Sequence, residues 1–376
     1  MKNRQSYILL KKQLKKFDFS MLLAIMILSA ISMIFVYSAT KQKWGNTFLI
    51  KEIVWISVGF IMFLITSFIN YKNYAKFSKI IYALNILLLL SVLILGRVIN
   101  GAKSWIVFGP FQIQPAEFAK VMILLTFAEL LSNGMPNGVR GWKGITKCIL
   151  HVAIPVLLIL KQPDFGTAMV FVFMMLVLIF LHDVHLGPVI FSAVSAFLMM
   201  PITYFFILKP YQKTRIDMFL NHLFLNIDYG FKEGGWQVAN SIIAIGSGGL
   251  TGKGVFHGTQ NQLRFIPEPQ TDFIFTVILE EAGFVGGLLV VLLFSWLLYR
   301  IISIGMRSED KFGQFICYGA AAIIFIHTAV NMGMIMGIMP VTGIPLMFLS
   351  YGGSAFVAGF TMLGIINSIG MNSVKN

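Results

Sequence analysis

Apolar runs long enough to cross a bilayer recur from one end of this chain to the other, and no soluble core could absorb them all. A membrane-spanning helix needs about 20 predominantly apolar residues. Such runs lie at roughly 19–39, 50–69, 77–96, 116–132, 146–161, 165–181, 186–207, 272–299, 313–337 and 346–370. Only Gln162-Pro163-Asp164 separates the fifth from the sixth. In lipid every backbone polar group must be satisfied within the protein, so each run reads as a helix. Charged residues make up 12% of the chain and hydrophobic ones 57%. Soluble domains carry about 25% charged residues. The expectation is an all-α integral membrane protein with about ten transmembrane helices, forming a single polytopic domain over residues 1–376.

The net charge of +14 could suggest nucleic acid, but the basic residues lie mostly in short loops between the runs, where they report topology. Lys2, Arg4, Lys11, Lys12, Lys15 and Lys16 precede the first run; Lys72, Lys76, Lys79, Arg140, Lys143, Lys147, Arg300, Arg307 and Lys311 follow the second, fourth and eighth. By parity all share one side, which the positive-inside rule makes cytoplasmic, together with both termini. The first run is too long for a signal-peptide core and no small-residue cleavage site follows it, so residues 1–18 read as a cytoplasmic tail. Residues 208–271 form a large extracytoplasmic loop between helices 7 and 8. Its length and mixed aromatic and glycine-rich composition point to function. Cys148 and Cys317 read as small apolar fillers.

Several polar constellations interrupt the apolar pattern. Trp105 stands in Gly101-Ala102-Lys103-Ser104-Trp105, followed by Gln114-Pro115-Ala116-Glu117-Phe118-Ala119-Lys120. Pro115 suits the first turn of a helix, and Glu117 and Lys120, three apart, can pair on one face. They read as either a structural ion pair or a charged pocket wall. Asp164 suits the N-cap of the sixth span. The glycine-rich 246–254 stretch fails the phosphate-loop test, because Ser247 stands at the leading glycine and Gly254 follows Lys253, so nucleotide binding is rejected. In Thr271-Asp272, either residue could cap the eighth span. Asp272, Thr276 and Glu280 fall near one helical face, and Glu280 with Glu281 would be costly in lipid unless paired or cavity-lining. That suggests a polar stripe descending from the surface. Prolines and glycines around Pro340–Pro345 and Ser350-Tyr351-Gly352-Gly353-Ser354 read as a helix break lining a cavity. His182-Asp183-x-His185 reads as loop polarity.

Taken in order, GAKSW (101–105), QPAEFAK (114–120), QPDFGT (162–167), AIGSGGLTGKG (244–254), PEPQTDFIF (267–275) and PVTGIPLMFLSYGGS (340–354) resemble the signatures of the SEDS family (RodA, FtsW, SpoVE). PVTGIPL and Tyr211-Gln212 with Arg215 look nearer the RodA branch; Gln270, Ala116 and Ala355 depart from the His, Ser and Ser often found in the family. The resemblance implies a peptidoglycan glycosyltransferase (a hexosyltransferase) of the bacterial cytoplasmic membrane that polymerises lipid II at its outer face, in cell elongation, division or sporulation. It implies a class B penicillin-binding protein, a transpeptidase, as partner, and it maps the family's essential loop aspartate onto Asp272.

That chemistry asks for one base and a cationic environment. Asp272 would be the catalytic base. Trp105, Glu117, Lys120, Arg215, Thr271, Glu280, Glu281, Ser350 and Ser354 would contact the substrate, with Lys120 and Arg215 facing the pyrophosphate and Lys103 a further cation. A Mg²⁺ or Mn²⁺ ion would suit the leaving group, but no metal ligand set is readable. The rival readings are a lipid II flippase and a non-catalytic scaffold of the cell-wall machinery. The polar residues cluster on the outer side, whereas a transporter needs charges reachable from both faces.

Overall fold

The computed structural model describes residues 15–99, 102–109, 111–139, 141–182, 205, 213–214, 216–217, 219–220 and 235–373. Its helices are α1 (Phe19–Trp44), α2 (Thr47–Phe68), the short α3 (Lys72–Lys76), α4 (Ser78–Leu95), α5 (Pro115–Ser132), α6 (Gly141–Lys161) and α7 (Phe165–Phe180). After the seventh expected span come α8 (Trp236–Gly248), the short α9 (Thr259–Gln262), α10 (Ile274–Arg307), α11 (Lys311–Ile335) and α12 (Gly353–Ser373). Seven of these are long and apolar enough to cross a membrane: α1, α2, α4, α6, α10, α11 and α12. α5 and α7 also fall on expected spans; α7 is apolar but only 16 residues long, and α5 carries Glu117, Lys120 and Glu129. Apart from residue 205, the seventh expected span lies outside the described residues, as does Arg215.

One element departs from helices alone. Between α4 and α5, β1 (Arg97–Ile99), β2 (Ala102–Phe108) and β3 (Phe111–Ile113) form an antiparallel meander in the order β1-β2-β3. Ile106 pairs with Ile113 and Val107 with Gln112. The sheet sits where the chain leaves one span for the next, and Ser104 Oγ donates to Gln162 O at 3.0 Å to tie it to the α6–α7 turn.

α12 is the most enclosed span; it packs along α2 and also touches α5, α10 and α11. Glycine permits the closest approach: a Cβ on Gly364 would lie 2.0 Å from Thr66 Oγ1. At the end of the bundle opposite the cavity described below, Asp18 caps α1 through Met21 N at 2.9 Å, and its other oxygen accepts from Arg300 Nη2 at 2.6 Å. Asp310 caps α11 and accepts a hydrogen bond from Tyr71. Cys148 and Cys317 are buried and unbridged, packed as apolar fillers.

α10 breaks at Gly283 (φ 65°, ψ −165°), a left-handed conformation that suits glycine. The glycine-rich loop docks into this break. Phe284 N donates to Gly249 O at 2.9 Å and Val285 N to Leu250 O at 3.1 Å; in return Lys253 N donates to Glu280 O and Gly254 N to Glu281 O, both at 3.0 Å. Backbone groups that a kink frees at membrane depth thus find partners within the protein. A Cβ on Gly252 would sit 2.1 Å from Glu281 O, so the glycines of this loop serve close backbone contact.

Candidate active site

Strand β2, the starts of α5, α7 and α12, the end of α11 and the segments preceding α10 and α12 surround a cavity of about 430 Å³. Its lining includes Trp105, Gln114, Glu117, Asp164, Thr271, Asp272, Thr342, Tyr351 and Ser354. Five sequence-predicted residues therefore face one space: Trp105 from β2, Glu117 from α5, Thr271 and Asp272 from the segment before α10, and Ser354 from α12.

Pro115 occupies the first turn of α5 as expected, which directs Glu117 inward. Lys120 Nζ lies 2.8 Å from Glu117 Oε2 and 2.9 Å from Oε1. Both are buried, at 3% and 2% exposure. Only Glu117 lines the cavity; Lys120 stands one layer behind it, where its Nζ is also 2.9 Å from His327 Nε2. Beside this wall Asp164 caps α7, accepting from Thr167 N at 2.9 Å and from Gln114 Nε2 at 3.1 Å. Gly166 lets α7 press on the 342–344 loop, since a Cβ there would lie 2.7 Å from Ile344 Cγ1.

Asp272 lies just outside α10, whose N-cap position is held by Phe273. Asn331 Nδ2 donates to Asp272 O at 2.9 Å and to Ile344 O at 2.8 Å, joining the segment to the 340–346 loop. Gly343 (φ +72°) leaves room beside the carboxylate, as a Cβ there would stand 3.6 Å from Asp272 Oδ2. The loop continues through Ser350, whose Oγ accepts from Leu346 N at 2.8 Å, so Ser350 shapes the turn from behind the cavity wall. Ser354 Oγ accepts from Gln114 N at 2.9 Å.

Glu280 and Glu281 lie elsewhere. Glu280 Oε1 accepts from Lys253 Nζ at 2.8 Å and from Gln260 N at 2.9 Å; Glu281 accepts from Ser38 Oγ at 2.6 Å and Phe256 N at 3.0 Å. Thr276 meets Ser241 of α8 at 2.6 Å. The expected polar stripe exists but is covered by the loop, and of its three members only Asp272 reaches the cavity. Lys103 Nζ donates to Leu93 O at 2.6 Å. His182 is buried against Met135 O at 2.6 Å; Asp183 and His185 lie outside the described residues.

Glu52, His327 and Asn331 escaped the sequence reading. Glu52 is buried in α2, where Ser32 Oγ lies within hydrogen-bond reach of its carboxyl group and of Leu349 O. The available signal was an isolated polar residue in an apolar span, doubled for His327 and Asn331 by their i, i+4 spacing.

Fold and site define a multi-pass membrane protein with a carboxylate-lined cavity at one end of its helical bundle. The chain belongs to the FtsW/RodA/SpoVE family of cell cycle proteins, whose family model matches residues 14–375. It is 34% identical to the peptidoglycan glycosyltransferase MrdB of Escherichia coli K12, covering 94% of this chain and 93% of that one. It is 32% identical to the peptidoglycan glycosyltransferase RodA of Treponema pallidum, over 94% and 97% of the two chains. Among solved structures it resembles a chain of a peptidoglycan synthase complex that coordinates polymerization and crosslinking, with a TM-score of 0.79, 28% identity and coverage of 94% and 97%. The crystal structure of the rod shape determining protein RodA of Thermus thermophilus matches with a TM-score of 0.71 and 25% identity, over 96% and 98%.

Proposed function

We propose that this chain is a peptidoglycan glycosyltransferase that polymerises lipid II at the outer face of the cytoplasmic membrane. The observation that carries this reading is the joint lining of one cavity by Asp272 and Glu117, with the Lys120 ammonium directly behind. Asp272 takes the proton from the 4-hydroxyl of the acceptor GlcNAc. The oxygen attacks C1 of the donor MurNAc, the bond from C1 to the pyrophosphate oxygen breaks, and undecaprenyl pyrophosphate leaves with inversion. A glycosidase needs a second carboxyl to protonate a poor leaving group. Pyrophosphate leaves readily and mainly needs positive charge nearby; Lys120, one layer behind the wall, offsets the Glu117 carboxylate, so that this wall does not repel the diphosphate. Arg215, in the long loop between the seventh and eighth expected spans, is assigned the supply of that positive charge.

A Mg²⁺ or Mn²⁺ ion arriving with the diphosphate would supply further positive charge. Among the described residues no three His, Cys, Asp or Glu side chains gather to hold one. The lysine and arginine asymmetry supports an orientation with both termini in the cytoplasm and the cavity outside. The likeness to a synthase complex supports a class B penicillin-binding protein as the crosslinking partner.

The test is polymerisation of purified lipid II by the purified chain with that partner and no other glycosyltransferase. Glycan strands are expected. Because substrate is supplied directly, a flippase or scaffold makes none, and repeated failure of the wild type would remove the enzyme reading.

A further inference from the structure

His327 and Asn331 lie one turn apart on one face of α11, both buried in a span that is otherwise mostly apolar. Each ties the same loop: His327 Nδ1 is 2.9 Å from Pro345 O, and Asn331 Nδ2 is 2.8 Å from Ile344 O. Each also reaches a different wall of the cavity, His327 through Lys120 Nζ and Asn331 through Asp272 O. One helix face therefore registers the Glu117–Lys120 wall against the Asp272 segment.

We propose that His327 is a positioning residue of the glycosyl transfer, acting through Lys120 to hold its ammonium behind Glu117. This rests on the proposed function. Partner chemistry fixes the ring. A carbonyl oxygen only accepts, so Nδ1 donates to Pro345 O; an ammonium only donates, so Nε2 accepts from Lys120. The lysine stem is flexible, and its head is pinned from two sides, by both Glu117 oxygens on its own helix and by His327 across the helix interface. Polar groups at this depth are costly unless they line a cavity or pair, and this chain of contacts ends on a cavity carboxylate. Without His327, Lys120 keeps Glu117 but loses the second anchor that holds its head in place behind that carboxylate.

Two conservative variants separate positioning from structure. In His327→Asn the short amide occupies the place of Nδ1 and keeps the bond to Pro345 while losing Lys120. In His327→Gln the longer amide reaches the place of Nε2 and keeps Lys120. Both are measured as full-length protein with its partner on lipid II, with thermal stability recorded alongside. The expected result is a kcat for His327→Asn lower than for His327→Gln by roughly 10- to 100-fold, the worth of one hydrogen bond to a charged group, at nearly equal KM. Equal kcat values, or a faster His327→Asn, would overturn the proposal. A second readout needs no turnover: the ¹⁵N shifts of His327 should report a neutral ring protonated at Nδ1 and should move in Lys120→Met. Shifts indifferent to Lys120→Met would also overturn it. A wild type that makes no glycan is a separate result, which defeats the proposed function.

Discussion

Lys253 Nζ lies 2.8 Å from Glu280 Oε1, so the lysine of the glycine-rich loop neutralises a carboxylate that is fully buried in α10. Thr259 Oγ1 and Gln260 N donate to the same oxygen, at 3.1 and 2.9 Å. The contact gives the Gly-Lys-Gly sequence its physical meaning: its glycines permit backbone contact at the Gly283 kink, and its lysine closes the contact electrostatically.

Lys253→Met should therefore destabilise the fold without touching the cavity. Breaking a buried pair from one side costs about 3–5 kcal/mol, and the partial exposure of Lys253 places this one at the low end. A combined Lys253→Met, Glu280→Leu protein should recover part of the loss. Thermal unfolding in detergent measures both, and a single variant as stable as wild type would contradict this account of the loop.

Much of this was legible in advance, and what was not has particular causes. The spans stood out because apolar length is a strong signal, and Glu117–Lys120 because spacing of three on a helix implies contact. The meander over 97–113 was missed because its strands are three to seven residues long and read as a loop between spans. Glu280 and Glu281 look like substrate residues in the sequence because it shows that a buried carboxylate needs a partner but not which one; Lys253 and Ser38 lie 27 and 243 residues away from their respective partners. His327 was passed over because one polar residue hardly alters an apolar run. Its meaning comes from Lys120, 207 residues distant.

Gly343→Ala should impair activity more than stability. The left-handed backbone at φ +72° costs an L-residue about 1–2 kcal/mol, and the added methyl stands 3.6 Å from Asp272 Oδ2. The expected outcome is a folded protein with a slowed polymerisation rate; full activity would show that the loop tolerates movement beside Asp272.

Replacing Glu117 and Lys120 together by apolar residues separates a structural pair from a working one. Swapping a buried pair for apolar groups is often neutral or stabilising, by about 1–4 kcal/mol. The double variant should stay folded and lose polymerisation; one that remains fully active would take both residues out of the mechanism.

Orientation is open to direct labelling. Thr259 and Lys143 are both exposed and lie toward opposite ends of the bundle. With the native cysteines buried, Thr259→Cys should react with an impermeant thiol reagent in intact cells and Lys143→Cys should not. The reverse pattern would put the cavity on the cytoplasmic side.

The central claim is that the Asp272 carboxylate removes the acceptor proton, and Asp272→Asn tests it most directly. Asparagine keeps the size, leaves the backbone carbonyl available to Asn331, and cannot take a proton. A general base contributes typically ~10²–10⁴-fold in rate. The variant should be expressed, reach the membrane and unfold near the wild-type temperature, yet fall by about that factor in glycan synthesis from purified lipid II. If Asp272→Asn polymerises lipid II at the wild-type rate, Asp272 is not the base.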